Sequence, residues 1–387
     1  MQNLLEFLFL VFIAIFLAPF ISSYLKIPFV VSEMIIGIIL GNLFLQSSFT
    51  DLTELMEFFK QFGLIFLMFF AGLEIDLKGM DVGWRSTAII SLSSLLLPFV
   101  SGYLLGLKAG VNPLFMGTLF STTSLGVILP LSREISDEGF RKLLLSSVVL
   151  VDILSMFLIA FVITLIQEKI SLSFLYSLLF IIILFFIPKI LRKTGLIRFL
   201  DVWIDEESHF ELGVRFSFAL IIFFVLLSEF LGFHSIIGAF ISGLIISEAL
   251  PHDKTLLERK LESFGYGFFI PLFFILVGAR VNLVELFSSV ENLSLLLTIL
   301  ILVFLSKVVG TALPSLLTGI GPRKSLALGV FHSSCLSLVI AAVEIGLQLK
   351  IINESIYAIF VILAVITSII SPSLGRALIE LQNRRTS

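Results

Sequence analysis

Long apolar runs, separated by short polar or Gly/Pro-containing segments, follow one another along the whole chain. A helix needs about 20 mostly apolar residues to cross the hydrocarbon core of a bilayer, and most of these runs have that length. We therefore predict an all-α polytopic membrane protein. Its predicted helices, about 13 in number, cover roughly residues 3–22, 28–46, 56–75, 86–107, 113–131, 140–166, 171–190, 210–231, 235–250, 262–280, 290–316, 323–348 and 353–380.

The composition favours one integral membrane domain. Of the 387 residues, 58% are hydrophobic and only 14% are charged, which is far from the balance of a soluble domain. We expect a single membrane domain over residues 1–387, without a soluble C-terminal domain. The first apolar run lacks the basic start and the small-residue cleavage site of a signal peptide, so we interpret it as the first transmembrane helix.

Several classes of function are excluded by what the chain contains. Its net charge is −3 and it has no basic run, which argues against nucleic acid as a partner. No phosphate-binding loop of an ATP-driven pump is present, and the four histidines and the single cysteine, Cys335, have no metal-site spacing. We expect no enzyme activity and no cofactor, with the lipid bilayer as the surroundings.

Basic residues are distributed unevenly between alternate loops. Cytoplasmic loops of membrane proteins are enriched in Lys and Arg. With the N-terminus placed outside the cell, nearly all basic loop residues become cytoplasmic, and the exceptions are Lys60, Lys108, Lys169, Arg280 and Lys350. We therefore predict a multi-pass protein of the cell membrane with an odd number of helices, its N-terminus outside and its C-terminus in the cytoplasm.

Parts of the chain repeat. The segment "FFAGLEIDL", ending at Leu77, aligns with "FILVGARVNL", ending at Leu283, and the same offset pairs Gly37 with Gly243. Equivalent helices are seven apart in the predicted order, and an odd separation reverses the direction of the second copy. We predict an inverted repeat, about residues 28–166 and 235–380, an architecture found in many secondary transporters. Chance similarity among Leu/Ile/Phe-rich segments is the alternative.

A second aligned pair of segments predicts two interrupted helices. "LFSTTSLGVI" aligns with "VFHSSCLSLV", so that Thr122 matches Ser333 and Thr123 matches Ser334. Hydroxyl side chains supply partners for backbone groups at a helix break, and the freed carbonyls can coordinate a cation. We therefore predict two crossing broken helices, with close packing through small residues as the alternative.

Asp152 lies in the apolar run "SSVVLVDILSMFLIAF". It is about 12 residues from the start of its predicted helix, hence roughly 18 Å into the membrane. An ionised, unpaired aspartate there costs about 2.5–3.5 kcal/mol on insertion scales, so an attending proton or cation is expected. We predict that a proton and a metal cation compete for Asp152. A hydrogen bond to a neighbouring helix is the structural alternative.

Lys307 is the second charge predicted inside the membrane. It lies near the middle of its predicted helix and requires a carboxylate or carbonyl nearby, for which Asp152 is the obvious candidate. In a functional role, Lys307 either stabilises the cation-free site or releases a proton when the cation arrives. The alternative is a structural ion pair that connects two helices.

Other polar residues have two interpretations each. Glu33, near the start of its helix, either lines an access funnel or makes a structural hydrogen bond. His332, at the second predicted break, either senses pH or is a neutral, bonded histidine. Ser333 and Ser334 belong to the same candidate set for access or pH sensing. Solvated or capping roles are expected for the acids at predicted helix ends, which are Glu74, Asp76, Glu229, Glu248 and Glu344.

With these residues identified, the chain resembles the cation:proton antiporter-2 family over nearly its whole length. "KIPFVVSEMIIGIILGN" is similar to the opening helix of that family, and "FGLIFLMFFAGLEIDL" to its Ala-Gly-Leu-Glu-x-Asp helix. "HSIIGAFISGLIIS" and "GYGFFIPLFFILVGARVNL" are similar to its Gly-Ala-Phe and Pro-x-Phe-Phe segments. Each motif is moderately specific, and four of them in order are a strong indication.

The resemblance implies roles for individual residues. Asp152 matches the ion-binding aspartate of the sixth helix, Thr123 and Ser124 match the unwound part of the fifth, and Lys307 matches the basic residue of the eleventh. Members of the family work as homodimers in which a core domain moves in an elevator-like manner. The chain ends soon after the thirteenth predicted helix, so we expect a simple exchanger without the nucleotide-binding regulatory domain.

Two departures from the family pattern affect the expected stoichiometry. Val151 stands where the family usually has a polar residue, and "HSSCLS" stands where an Arg-Gly-Glu-like triplet is common. A single carboxylate predicts one proton per cation and electroneutral exchange, provided that Lys307 keeps its proton. If Lys307 releases its proton when the cation binds, the exchange becomes electrogenic.

From these observations we predict a monovalent cation/proton antiporter, with sodium favoured over potassium, that works by alternating access. Asp152 is the shared proton and cation site, and Thr123 and Ser124 complete the shell around the cation. The main alternative is a channel-like or regulatory membrane protein that keeps the fold but does not couple the two ions. A carrier of organic anions is disfavoured because Asp152 would repel its substrate.

Overall fold

The computed structural model describes residues 2–45, 53–73, 84–132, 135–166, 211–231, 234–249 and 256–386. All regular secondary structure in these residues is helical. Nine of the helical stretches described are long and apolar enough to cross a membrane, and three shorter ones are also apolar. These features confirm the predicted all-α membrane fold. The helix predicted at 171–190 lies outside the described residues.

The helices begin and end close to the predicted positions. Each predicted helix in the described part corresponds to one element or to two consecutive elements. A π-helical turn, Gly41–Leu45, follows the helix Phe29–Leu40, and a second, Gly265–Phe269, joins the helix Leu256–Phe264 to the helix Ile270–Ala279. In chain order the elements are α1 (Gln2–Leu25), α2 (Phe29–Leu40), α3 (Thr53–Leu73), α4 (Trp84–Ala109), α5 (Pro113–Ser121), α6 (Leu125–Ser132), α7 (Glu138–Ile166), α8 (Leu212–Phe230), α9 (Ser235–Ala249), α10 (Leu256–Phe264), α11 (Ile270–Ala279), α12 (Leu283–Ser288), α13 (Val290–Leu317), α14 (Pro322–His332), α15 (Ser337–Gln348) and α16 (Glu354–Thr386).

Helix α13 has the distribution of side chains expected of a helix that borders lipid. Large apolar residues at four-residue and eight-residue spacing form its outer face, and each is at least half exposed. They are Leu297, Ile301, Leu305 and Leu313. Lys307, on the opposite face, is completely buried. A helix of a soluble protein has the opposite arrangement, with charged residues on its exposed face and apolar residues on its buried face. The exposed apolar face of α13 therefore agrees with a lipid bilayer as its surroundings.

Local side-chain caps fix where two helices of the candidate site begin. Asn112 accepts a hydrogen bond from the Phe115 amide at 3.2 Å, so α5 starts at the following proline. Asp137 accepts from the Phe140 amide at 3.0 Å in the first turn of α7, and from Lys324 Nζ at 2.5 Å. The Lys324 ammonium lowers the pKa of the Asp137 carboxyl, so this pair stays charged at neutral pH.

The chain divides into two compact units. The first consists of Met1–Leu52, Lys78–Val162 and Phe274–Ser387, and the second of Thr53–Leu77 and Ile163–Phe273. Helices α5, α6, α13, α14 and α15 all belong to the first unit, together with α7 up to Val162. The residues predicted to bind ions therefore lie within one unit.

In the first unit, glycines allow α2 and α11 to approach very closely. A Cβ atom added to Gly37 would lie 2.2 Å from the Ile275 carbonyl oxygen, and one added to Gly278 would lie 2.3 Å from the Met34 carbonyl oxygen. Both obstacles are backbone atoms, which cannot rotate away as a side chain can. Only glycine fits at these two positions while the helices keep this separation.

The second unit contains the same arrangement between α9 and α3. A Cβ atom added to Gly243 would lie 2.0 Å from the Phe69 carbonyl oxygen, and one added to Gly72 would lie 2.1 Å from the Phe240 carbonyl oxygen. When residue numbers are shifted by the offset that aligns the repeated segments, each of these two contacts corresponds to one of the contacts in the first unit. The repeated motifs thus form equivalent helix pairs, which makes chance similarity a poor explanation for them.

Candidate functional site

The two predicted helix breaks are present, and they lie against each other. Residues 122–124 separate α5 from α6, and residues 333–336 separate α14 from α15. Cys335 Sγ in the second break donates a hydrogen bond to the Thr122 carbonyl oxygen in the first, at 3.1 Å. Phe115, near the start of α5, contacts Gly346, near the end of α15. The two broken helices therefore run in opposite directions and meet at their breaks, which we call the crossing.

Hydroxyl side chains satisfy the backbone carbonyls next to each break. Ser121 Oγ donates to the Gly117 carbonyl at 2.9 Å, and Thr122 Oγ1 donates to the Leu119 carbonyl at 2.9 Å. Ser333 Oγ donates to the Val330 carbonyl at 2.6 Å. From α16, Thr367 Oγ1 accepts from the Cys335 amide at 3.3 Å. The runs of small hydroxyl residues thus replace the helical hydrogen bonds that a break removes, as the sequence predicted.

Three other hydroxyl groups at the crossing make no such hydrogen bonds to the described part of the backbone. The hydroxyls of Thr123, Ser124 and Ser334 are buried and have no hydrogen-bond partner among the residues that the structure describes. Burying a hydroxyl without a partner costs about 1–3 kcal/mol. A group of three such oxygens is well suited to a ligand that supplies positive charge, such as a partly dehydrated cation.

Asp152 is placed on the face of α7 that is turned toward the first break. Ser155, three residues further along the same face, donates to the Ser121 carbonyl at 3.1 Å. Asp152 itself is half-buried, about 21 Å from the start of α7 at the usual helical rise. It interacts electrostatically with Lys307. Val151, the residue before it, packs in the apolar core.

Lys307 reaches the end of α5. Its Nζ donates to the Ser121 carbonyl oxygen at 2.5 Å, within the last turn of that helix. The C-terminal end of a helix carries partial negative charge, so an ammonium group there is stabilised. The sequence predicted that Lys307 requires a carbonyl or carboxylate nearby. The Ser121 carbonyl and the electrostatic attraction to Asp152 together provide this.

His332 connects three helices. It is the last residue of α14, its Nδ1 lies 3.0 Å from Ser94 Oγ of α4, and its Nε2 lies 2.9 Å from Ser147 Oγ of α7. Ser147 Oγ also lies 3.0 Å from the Leu144 carbonyl oxygen. Both ring nitrogens are thus hydrogen-bonded to buried serines. A pH-sensing role for His332 stays a prediction.

Glu33 and Ser333 complete the set of predicted residues. Glu33 is buried in α2, and its Oε2 has no hydrogen-bond partner among the described residues. Ser333 Oγ lies 2.9 Å from Ser371 Oγ of α16, so this hydroxyl ties the second break to the last helix. Ser334 joins the group without partners at the crossing. An access role for Glu33 stays a prediction.

Glu344 corrects one prediction from the sequence. As an acid near the end of a predicted helix it was expected to be solvated or capping, but it is completely buried in α15. Tyr357 Oη donates to it at 3.1 Å and Gln348 Nε2 at 3.3 Å, while an Arg280 nitrogen lies 4.0 Å away. Arg280 also pairs with Glu354 at 2.9 Å. Packing against α16 buries the carboxylate, and these donors compensate its charge.

Two further residues of the site were missed in the sequence. Thr311 lies one helical turn beyond Lys307 on α13, is buried, and its hydroxyl also has no hydrogen-bond partner among the described residues. Ser155 lies one turn beyond Asp152. Each lies three or four residues after a charged residue of the predicted site, and therefore on the same helix face. This spacing is the feature of the sequence from which both residues could have been predicted.

Comparison with protein families gives one extensive match. The family model described as sodium/hydrogen exchanger, transmembrane, matches residues 11–380. The chain is 32% identical over 385 residues to Probable Na(+)/H(+) antiporter 3 of Methanocaldococcus jannaschii, a match that covers 96% of both chains. It is 27% identical over 363 residues to the Na(+)/H(+)-K(+) antiporter GerN of Bacillus cereus, covering 92% of this chain and 91% of that protein.

A solved structure has the same fold. The sodium proton antiporter MjNhaP1 from Methanocaldococcus jannaschii, at pH 8, matches with a TM-score of 0.66 over 97% of this chain and 98% of that one. The sequence identity is 18%, so this likeness concerns the fold alone.

Proposed function

The chain belongs to the sodium/hydrogen exchanger family, and from this membership we propose that it exchanges sodium ions for protons, with Asp152 as the site that both ions share. The observation that supports this most strongly is the crossing, where the buried hydroxyls of Thr123, Ser124 and Ser334 have no hydrogen-bond partner among the described residues. These oxygens lie in the same compact unit as Asp152 and Lys307. Together they form a set of oxygen donors with one carboxylate.

In the proposed mechanism, the cation binds to the Asp152 carboxylate after losing part of its water shell. Hydroxyls of Thr123 and Ser124 and backbone carbonyls at the break replace the lost water, as interrupted helices do in other transporters. A proton occupies the same carboxylate when the cation leaves. Because either ion neutralises Asp152, binding of one excludes the other, and this exclusion couples the two fluxes.

In the proposed mechanism, the charge on Asp152 determines when the site can move across the membrane. A ligand can drive a conformational change only through different affinities for the two states. We propose that the unit containing the crossing moves in an elevator-like manner when Asp152 is neutralised, and that a bare carboxylate resists the movement. The protein is proposed to work as a homodimer in the cell membrane, with its N-terminus outside and its C-terminus in the cytoplasm.

The test is a scan of cations on the purified chain in liposomes loaded with acid and a pH-sensitive dye. External sodium, potassium or lithium is added over a range of pH. We expect saturable proton efflux driven by sodium, with a weaker response to potassium, and no response in empty liposomes. The channel-like alternative predicts ion conductance without fixed coupling to protons, and that outcome would replace the antiporter proposal.

The exchange is expected to be electroneutral. The Lys307 ammonium donates to the Ser121 carbonyl at the end of α5 and is attracted by Asp152, whereas a neutral amine would keep only an uncharged hydrogen bond. We propose that these interactions keep Lys307 protonated through the cycle, so that one proton is exchanged for one sodium ion at Asp152. An imposed membrane potential should leave the rate of the dye signal unchanged. A rate that follows the potential would mean that Lys307 also releases a proton.

A further inference from the structure

His332 lies where the second break meets two neighbouring helices. It is the last residue of α14, directly before the break, and its side chain is completely buried. Its Nε2 lies 2.9 Å from Ser147 Oγ of α7, and its Nδ1 lies 3.0 Å from Ser94 Oγ of α4. Both serines are completely buried as well. A rigid ring is therefore fixed at both of its nitrogens.

Hydrogen bonds join the elements that carry the proposed oxygen donors of the crossing. On α7, Ser155 donates to the Ser121 carbonyl, next to the first break, at 3.1 Å. In the first break, the Thr122 carbonyl accepts from Cys335 of the second break, also at 3.1 Å. These two bonds tie α7 to the first break, and the first break to the second.

His332 and Ser147 provide the third connection, from the second break back to α7. Asp152 lies five residues after Ser147, and Ser334, whose hydroxyl has no hydrogen-bond partner among the described residues, lies two residues after His332. The three connections form a closed triangle, in which the separation of the three elements is restrained on every side. Without the contact between His332 and Ser147, one side of the triangle is open and the second break is less restrained relative to Asp152.

We propose that His332 is a positioning residue, which sets the preference of the crossing for sodium over potassium by holding the second break against α7. Selectivity between cations of different size depends on the dimensions and the flexibility of the cavity that their ligands form. A small ion needs all its donors close at once, whereas a larger ion still binds when the donors move apart. The inference rests on the proposed function, because it concerns the cation that the crossing is proposed to bind.

His332→Asn and His332→Gln separate the two contacts of the ring. The asparagine amide reaches the position of Nδ1 and keeps the contact with Ser94, whereas the glutamine amide reaches that of Nε2 and keeps the contact with Ser147. We expect His332→Asn to raise the KM for sodium about fivefold, as for the loss of one hydrogen bond, and to change the KM for potassium less than about twofold. His332→Gln should keep both KM values of the wild type. The liposome assay with sodium or potassium gives these values.

Serine variants supply the matched comparison. Ser147→Ala removes the same contact from its other side, so it should raise the KM for sodium as His332→Asn does, and the double variant should have the KM of either single one. Ser91→Ala is the control. Ser91 is also buried, but its hydroxyl donates to the Ser147 carbonyl at 3.0 Å and so joins α7 to α4 instead of to the second break. It should leave both KM values unchanged. Additive effects in the double variant, or an equal rise of the sodium KM in Ser91→Ala, would overturn the proposal.

Sodium binding is also measured without transport, on the purified full chain in detergent. An ion that binds only the folded chain raises its unfolding temperature, and the sodium concentration needed for a given rise reports the affinity. His332→Asn and Ser147→Ala should each need about fivefold more sodium than the wild type, and Ser147→Ala, which retains the histidine, decides the question if His332→Asn does not fold. Sodium binding by a wild type that does not exchange ions would contradict the proposed antiport alone. An unchanged sodium affinity in folded Ser147→Ala would contradict the role of His332 alone.

Discussion

Asp152→Asn is expected to abolish sodium-driven proton movement while the chain remains folded. Asparagine has the shape of aspartate but carries neither the proton nor the negative charge that the proposed exchange requires. Lys307 keeps its hydrogen bond to the Ser121 carbonyl in this variant, so the chain is expected to remain folded. Exchange is measured in acid-loaded liposomes, and folding by the unfolding temperature and the size-exclusion profile in detergent.

Asp137→Asn provides the matched control for this variant. It makes the same chemical change at the start of α7, where Asp137 caps the helix and pairs with Lys324. Asparagine also caps helices well, so only the surface ion pair is lost, at a cost of about 1 kcal/mol or less. Exchange should persist. Sodium-driven proton efflux by Asp152→Asn at the wild-type rate would remove Asp152 from the mechanism.

The helices and their breaks were predictable because their causes are local. A run of about 20 apolar residues is sufficient to indicate a membrane helix. The hydroxyls of Ser121, Thr122 and Ser333 bond to carbonyls three or four residues earlier, so each break is encoded within a few positions of the chain. The repeat was visible for a similar reason, since the close helix pairs require glycine at fixed positions.

Contacts between distant parts of the chain were much less predictable. The sequence suggested Asp152 as partner of Lys307, but it gave no reason to choose the Ser121 carbonyl, which is 186 residues away. Ser94 and Ser147 were likewise not assigned to His332. Glu344 was misjudged because its burial depends on Tyr357 and Arg280, which reach it from other elements. Such pairs are decided by how helices pack, which a single sequence does not record.

Gly37→Ala and Gly243→Ala are expected to destabilise the chain to similar extents. In each case the new methyl group would meet a backbone carbonyl at about 2 Å, 2.2 Å for Gly37 and 2.0 Å for Gly243, so the helices must separate. Overpacking typically costs about 1–3 kcal/mol, and a rigid backbone obstacle should place these variants at the upper end. The measurement is thermal unfolding of the purified variants in detergent, followed by loss of the folded peak in size exclusion.

Gly139→Ala is the control, because it also changes a helical glycine but meets only the Asp137 carboxylate at 3.5 Å, an ordinary contact. Alanine is better than glycine inside a helix by about 1 kcal/mol, so this variant should be as stable as the wild type or more stable. The equivalence of the two repeats predicts that Gly37 and Gly243 respond alike. If only one of the two variants destabilised the chain, the two helix pairs would contribute unequally to its stability. Their common sequence motif would then reflect shared ancestry, without an equal requirement for glycine in both pairs.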